Sequence, residues 1–488
     1  MATDIPFVAP ERRIYVLVAA ILASAMGFID GSVISIATPA IRENLGATLA
    51  DAQWVSNAYL LLLSSVLLLG GAAGDRFGIR SVFSGGIALF VVASLASAMA
   101  PTPGFLIAAR AVQGLGAAFM VPSSLAIIAK AYPRDERGGA IGIWSSASSF
   151  FTIAGPVVAG FLLTTLGNAS WRLVFAVNLP LGLVSLALLF WKVPADRPEE
   201  GRRLDVAGAA LATLALLLIA LALTGESTPS AWRGGFAIAG LAFAVAFVAW
   251  EARAPAPMVP LALFRDKAFA GAQGLTFALY FALAAITFYL PTTLIAGWGV
   301  TPAEVSLVLL PLGIMLTILS PLAGRWSDRV GPGPMIAIGS AVVALAFLVL
   351  GVLAGTHDLW RVVLPTMLLF GLGMSFVVSP LSTAVMTSVV DRDTGTASGI
   401  NNAVARVAGL LAVASMGWLG AAVFAAAMGG VASGLSFGAP VSGGLSPGAV
   451  AATDRAFAAI AYVTAALSLI SAVIAWFTLE RRKLVRAA

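Results

Sequence analysis

Long apolar runs, separated by short polar connections, set the pattern of this chain. A membrane-spanning helix needs about 20 consecutive apolar residues. Fourteen runs meet that length, at roughly 14–38, 54–73, 82–99, 105–128, 140–165, 172–191, 206–224, 235–250, 269–293, 304–323, 334–354, 361–388, 396–424 and 457–478. The pattern predicts an all-α polytopic membrane protein. The first run is long enough to span and lacks the short core and small-residue cleavage site of a signal peptide, so it reads as an uncleaved helix.

The polar connections give the orientation. With an even number of spans both termini lie on one face. That face collects Arg12, Arg13, Arg76, Arg80, Lys130, Arg134, Arg137, Lys192, Arg197, Arg202, Arg203, Arg253, Arg265, Lys267, Arg325, Arg329, Arg392, Arg481, Arg482, Lys483 and Arg486. The other face has Arg42, Arg172, Arg233, Arg361 and Arg455, while Arg110 and Arg406 fall within spans. Basic residues concentrate on the cytoplasmic side of membrane proteins, so both termini are expected in the cytoplasm.

The chain repeats itself. Gly71–Gly78 returns as Gly324–Gly331, and Thr48–Asp51 as Thr301–Glu304, each at an offset of 253 residues. Gly114 and Gly116 return as Gly371 and Gly373, and Gly138 and Gly142 as Gly395 and Gly399, at an offset of 257. The two threonines, each followed three residues later by an acid, form capping-box-like helix starts. We therefore expect an N-terminal six-helix bundle (1–193), a linker with two inserted helices (194–267) and a C-terminal six-helix bundle (268–488). Parallel halves of this kind enclose a midplane cavity and suit alternating access by rocking.

Composition narrows the chemistry. The chain is 60% hydrophobic and 10% charged, against about 25% charged in soluble domains, and its mean hydropathy is +0.99. The net charge of +6 is explained by topology, so no nucleic-acid partner is expected. The absence of cysteine excludes disulfides and thiolate metal sites. None of the four lysines is followed by Ser or Thr, so no phosphate-binding loop is present. Nor is there a zinc-peptidase or nucleophile-elbow motif. These observations predict a protein that is not an enzyme, carries no cofactor, binds no metal and draws energy from an ion gradient. His357, the single histidine, reads as a solvated loop residue. The loop at 425–456, rich in Gly, Ala, Ser and Pro, reads as a flexible or hairpin-like outer loop, with a lid as the alternative.

Few charges enter the membrane. Asp30 is the one acid deep within a span, and a charge there marks a pathway or proton relay. Counting 1.5 Å per residue from each entry point puts Asp30 and Arg110 at similar depth in the outer half, which makes Arg110 the natural partner. Burial favours the neutral carboxyl and the arginine favours the charged one. A carboxylate balanced this way can exchange a proton as its access changes. Arg406 lies near mid-depth with no second acid to pair it, about one turn from Asn401 and Asn402. It either walls a substrate cavity or is satisfied by backbone carbonyls and snorkelling.

These residues carry a resemblance. The sequence resembles the major facilitator superfamily over nearly its whole length, specifically its fourteen-helix drug:proton antiporter branch. Gly71–Arg80 is similar to the signature between the second and third helices, with its basic pair reduced to Ile79–Arg80. Leu106–Ala118, containing Arg110 and Gln113, matches the fourth-helix signature, whose arginine is tied to proton coupling. Ile153–Gly160, with Gly155–Pro156 at its core, resembles the antiporter signature of the fifth helix, although Phe151 and Ala159 replace usual glycines. Phe28–Pro39 and Trp171–Pro180 resemble the branch's first-helix and sixth-helix patterns.

The resemblance implies a proton-coupled antiporter exporting small lipophilic, often cationic, compounds. The alternative is a major facilitator carrier of an endogenous metabolite or lipid. It implies proton coupling by Asp30 and Arg110, and a substrate cavity lined by Asp30, Gln113, Asn178, Asn401 and Arg406. It implies a conformational switch made of Gly71, Asp75, Arg76, Gly78, Arg80, Gly155, Pro156, Asp328 and Arg329, with Asp75 facing the start of the thirteenth span near Gly395. The expected partners are a small-molecule substrate, protons and membrane lipid. The chain is expected to be a monomer in a bacterial inner membrane.

Overall fold

The computed structural model describes residues 7–196, 204–224, 230–390, 393–429, 436–439 and 446–479. Among them, fourteen helices are long and apolar enough to cross a membrane. The N-terminal bundle holds α1 (Arg13–Leu45), α2 (Leu49–Phe77), α3 (Ile79–Ala98), α4 (Pro103–Ala131) and α5 (Arg134–Leu166). Its sixth span is broken into α6 (Trp171–Ala176) and α7 (Asn178–Lys192). The inserted pair is α8 (Val206–Leu223) and α9 (Ser230–Glu251). The C-terminal bundle holds α10 (Lys267–Thr292), α11 (Pro302–Val330), α12 (Pro332–Val352), α13 (Leu364–Thr387), α14 (Thr394–Ala427) and α15 (Pro447–Thr478).

The helices start and stop where local chemistry directs. Thr48 and Thr301 both form capping boxes, each with its side chain on the N3 amide and the N3 acid returning the bond. This satisfies two amides at the helix start that would otherwise lack partners. Gly78 and Gly331 end α2 and α11 at φ 88° and 89°, backbone that a β-carbon disfavours. The repeat read from the sequence is thus a repeat of structure.

Small residues set how closely the helices approach. A β-carbon on Gly116 would sit 2.7 Å from the Phe90 amide nitrogen, and one on Gly373 would sit 2.7 Å from the Gly339 carbonyl. The α3–α4 and α12–α13 crossings are therefore built alike, backbone against backbone, as membrane helix interfaces favour. Around each crossing lies a separate apolar core, one with Phe83, Phe90 and Met120 and the other with Phe347, Phe370 and Met374.

Two expectations need correction. Helices run beyond the bilayer-length runs, most clearly at α15, which begins ten residues before the span at 457–478. Ser446 caps its N-terminus and Pro447 opens it, a favourable pairing of residue types. The loop expected at 425–456 is accordingly helical at both ends. Its described centre, residues 436–439, is held: Arg42 of α1 donates to the carbonyls of Phe437 at 3.2 Å and Gly438, and to Ser436 Oγ at 3.1 Å. Phe437 is fully buried and stacks on Tyr289. His357 is also not simply solvated. It lies 2.8 Å from Asp454 and against Trp298.

Arg197, Arg202, Arg203, Arg392, Arg481, Arg482, Lys483 and Arg486 lie outside the described residues, as do 430–435 and 440–445 of the outer loop.

Candidate functional site

Asp30 sits midway along α1 and Arg110 in the outer part of α4, each 1% exposed, joined by a 2.5 Å ion pair. Gln113, one turn along α4, binds both: its Oε1 accepts from Arg110 at 2.7 Å and its Nε2 donates to Asp30 Oδ1 at 2.9 Å. Gln113 Nε2 also meets Ser94 Oγ at 2.9 Å, and Asn178 Nδ2 reaches the same hydroxyl at 3.2 Å. Arg110 Nε donates to the Val55 carbonyl at 3.0 Å. Its guanidinium lies 4.3 Å from the Tyr59 ring centre and 5.6 Å from that of Phe175. Five helices thus close a dry polar network.

The network satisfies what a buried ion pair demands. Removing two charges from water is costly unless the partners and remaining hydrogen-bonding positions are filled. Here both carboxylate oxygens are engaged and the guanidinium is also faced by two aromatic rings. Gly155 allows α5 to approach α1 beside Asp30, since a β-carbon there would lie 3.4 Å from the Ile29 Cα. Chemically, the arrangement is a carboxylate buried against a guanidinium and an amide, the kind of intramembrane charge that marks a pathway or relay.

The structure sorts the residues singled out from sequence. Asp30, Arg110, Gln113 and Asn178 come together and all four are buried; Gln113 bonds Asp30 directly, and Asn178 reaches Ser94 beside it. Asn401 accepts from Thr276 of α10 at 2.8 Å. Arg406 is half-buried, and its charge reaches Tyr59 of one half and Tyr280 of the other. That places it at the seam between the bundles. Asp75 lies 3.7 Å from Lys130. Arg80 donates to the Leu189 carbonyl, one of the last in α7, at 3.0 Å, while Asp196 caps the first amides of α3 at 2.7 and 2.9 Å. Arg76 lies over the ring of Phe77, Gly71 packs against Pro122 of α4, and Asp328 and Arg329 are exposed.

Sequence reasoning missed the clasp at the outer seam. Gln53 of α2 donates to Tyr289 Oη of α10 at 2.8 Å and to the Val413 carbonyl of α14 at 3.1 Å, and Tyr289 donates to that carbonyl at 2.5 Å. Alongside it, Ser306 of α11 donates to the Pro156 carbonyl of α5 at 2.8 Å. Thr164 of α5 accepts from the Ala303 amide at 3.0 Å. These contacts join the two halves at the helix ends opposite the termini. At the helix ends on the side of the termini, a β-carbon on Gly138, Gly139, Gly142 or Gly395 would meet nothing within 4 Å. A glutamine and a tyrosine in outer helix turns were the only available signal, and their pairing spans 236 residues.

Comparison with known proteins agrees with this architecture. The family model described as Major Facilitator Superfamily matches residues 20–413. The tetracenomycin C resistance and export protein of Streptomyces glaucescens is 33% identical over 82% of this chain and 75% of its own length. The methylenomycin A resistance protein of Bacillus subtilis is 31% identical over 87% of this chain and 92% of its own. Among solved structures, a D-xylose-proton symporter superposes with a TM-score of 0.65 at 17% identity, covering 96% of this chain and 98% of the other. With its duplicated bundles, its inserted helix pair and these relatives, the chain belongs to the major facilitator superfamily and to its fourteen-helix group of drug and antibiotic resistance transporters.

Proposed function

We propose that this protein is a proton-coupled antiporter that exports small lipophilic compounds by alternating access across a bacterial inner membrane. The carrying observation is the sealed Asp30–Arg110–Gln113 network within the half-membrane depth of α1 and α4. Relatives named for resistance to, and export of, antibiotics support the outward direction. Both termini are in the cytoplasm, in keeping with the distribution of basic residues. The monomer works without a cofactor, with the proton gradient as its energy source and lipid as its solvent.

In the cycle, the inward-facing, deprotonated carrier admits cargo from the cytoplasm or inner leaflet. After the switch, a proton from outside neutralises Asp30, Arg110 is released, and cargo leaves. The protonated carrier then resets. A cationic cargo competes with Arg110 for the same carboxylate, so it gains Asp30 only after the ion pair opens. Asn401 and Arg406 form the polar wall on the opposite half.

The test is Asp30→Asn, which keeps the shape and the hydrogen bond from Gln113. Reconstituted protein should fold and bind cargo yet show no substrate efflux driven by an imposed pH gradient. Gradient-driven efflux at the wild-type rate from this variant overturns the assignment.

A further inference from the structure

The inserted helices carry a second buried acidic site, which no step of the transport cycle above uses. Asp205 caps α8 and Glu251 ends α9, only 8% and 3% exposed. Asp205 Oδ1 accepts from the Gly208 amide and from the Trp250 indole, both at 2.8 Å. Glu251 Oε2 accepts from the Val259 amide at 2.9 Å. The remaining oxygens, Asp205 Oδ2 and Glu251 Oε1, are buried and have no donor among the described residues. Both point at one spot: a β-carbon on Gly208 would lie 2.6 Å from the first and 2.7 Å from the second. The two carboxyl groups thus converge on the space beside Gly208.

Two ionised carboxylates are acceptors only and cannot bond to one another. Side by side and out of water, they also repel, so one of them keeps its proton. Among the described residues, no cation bonds either free oxygen. Of the charged groups nearby, Arg253 donates to the Ala249 carbonyl. Asp75 and Arg76 of α2 are engaged with Lys130 and Phe77. Among the described residues, none of Asp51 and Tyr59 of α2, Arg406 of α14, or Arg265 and Asp266 of the following segment acts on Glu251, and Asp205 is the titratable group whose charge does.

We propose that Asp205 and Glu251 form a proton-binding site, holding one proton between Oδ2 and Oε1 in the space that Gly208 leaves open. The site is separate from Asp30 and does not depend on the export reading. Its position gives it consequence. Asp205 ends the connection from the N-terminal bundle, and Glu251 grips Val259 at the start of the connection to the C-terminal bundle. The shared proton therefore ties together the two strands of chain that join the halves. Loss of the proton places two adjacent charges at that knot.

Infrared spectroscopy of the full chain in lipid nanodiscs tests this directly. At neutral pH the wild-type protein should show a protonated-carboxyl stretch that survives Asp30→Asn and disappears in Glu251→Gln. The amide of Glu251→Gln still donates to Asp205, so this variant should fold. Thermal unfolding across pH gives a second readout. The folded pair binds more protons than the unfolded chain, so wild-type stability should fall with rising pH by one proton's worth of slope more than Glu251→Gln. An infrared spectrum unchanged in Glu251→Gln, or parallel stability profiles, overturns the proposal. Loss of the carboxyl band in Asp30→Asn instead would assign the proton to the transport site.

Discussion

The fourth and twelfth spans are copies of one another with opposite interiors. Four residues before the glycine that each shares with its counterpart, α4 has Arg110 and α13 has Met367; one residue before, α4 has Gln113 and α13 has Phe370. All four side chains are essentially buried. Their backbones are held by matching glycine contacts, Gly116 against α3 and Gly373 against α12. In α13 the space is filled with hydrocarbon and packs into the apolar core. In α4 it is filled with a charge that obliges four other helices to supply partners. The comparison separates scaffold from chemistry: the glycines make the bundle, and two positions decide whether the bundle carries a titratable centre.

Breaking the polar copy should have the largest effect. Arg110→Ala leaves Asp30 buried without its counter-charge, a loss on the order of 3–5 kcal/mol, so the variant should be recovered poorly by size-exclusion chromatography and should not transport. Copying the apolar half instead sharpens the contrast. With Asp30→Leu, Arg110→Met and Gln113→Phe combined, the protein should fold with stability near the wild type, since apolar replacement of buried ion pairs is often neutral or favourable. It should have lost all pH-driven efflux.

The scaffold predicts symmetry where the chemistry does not. Gly116→Leu and Gly373→Leu should each cost about 1–3 kcal/mol through overpacking, read as similar drops in thermal unfolding temperature. A large difference between them would show that the two crossings are not equivalent. The smallest effects belong to the helix starts. Thr48→Ala and Thr301→Ala each remove one capping box and should cost about 1 kcal/mol, measured in the same assay, with transport retained.

Much of this was legible in the sequence because membranes make it so. An acid or arginine in an apolar run stands out, and counting rise per residue puts Asp30 and Arg110 at similar depth. Glycines recurring at fixed offsets announced the duplication. Less legible were helix ends, because apolar length marks the hydrocarbon crossing, whereas Ser446 and Pro447 start α15 well outside it. Least legible were bonds between distant polar residues. Gln53 with Tyr289, Arg42 with the Phe437 carbonyl, and Asp205 with Glu251 each bring together unremarkable residues from separate parts of the chain. Only the packing of the bundles selects the partner. The bonds of Gln113 to Asp30 and of Asn178 to Ser94 likewise emerge from the packing.

The cap on α3 sets an order of events during synthesis. Its first two amides are bound by Asp196, 117 residues further along the chain than Ile79. Ribosomes add about 5–20 residues per second, so that helix start waits roughly 6–23 seconds for its acceptor. Until the sixth span has emerged, the junction of α2 and α3 is held only by Gly78 and neighbouring contacts. The N-terminal bundle can therefore adjust its inner hinge late, and it is locked only once the chain has committed to the crossing that leads to the second half.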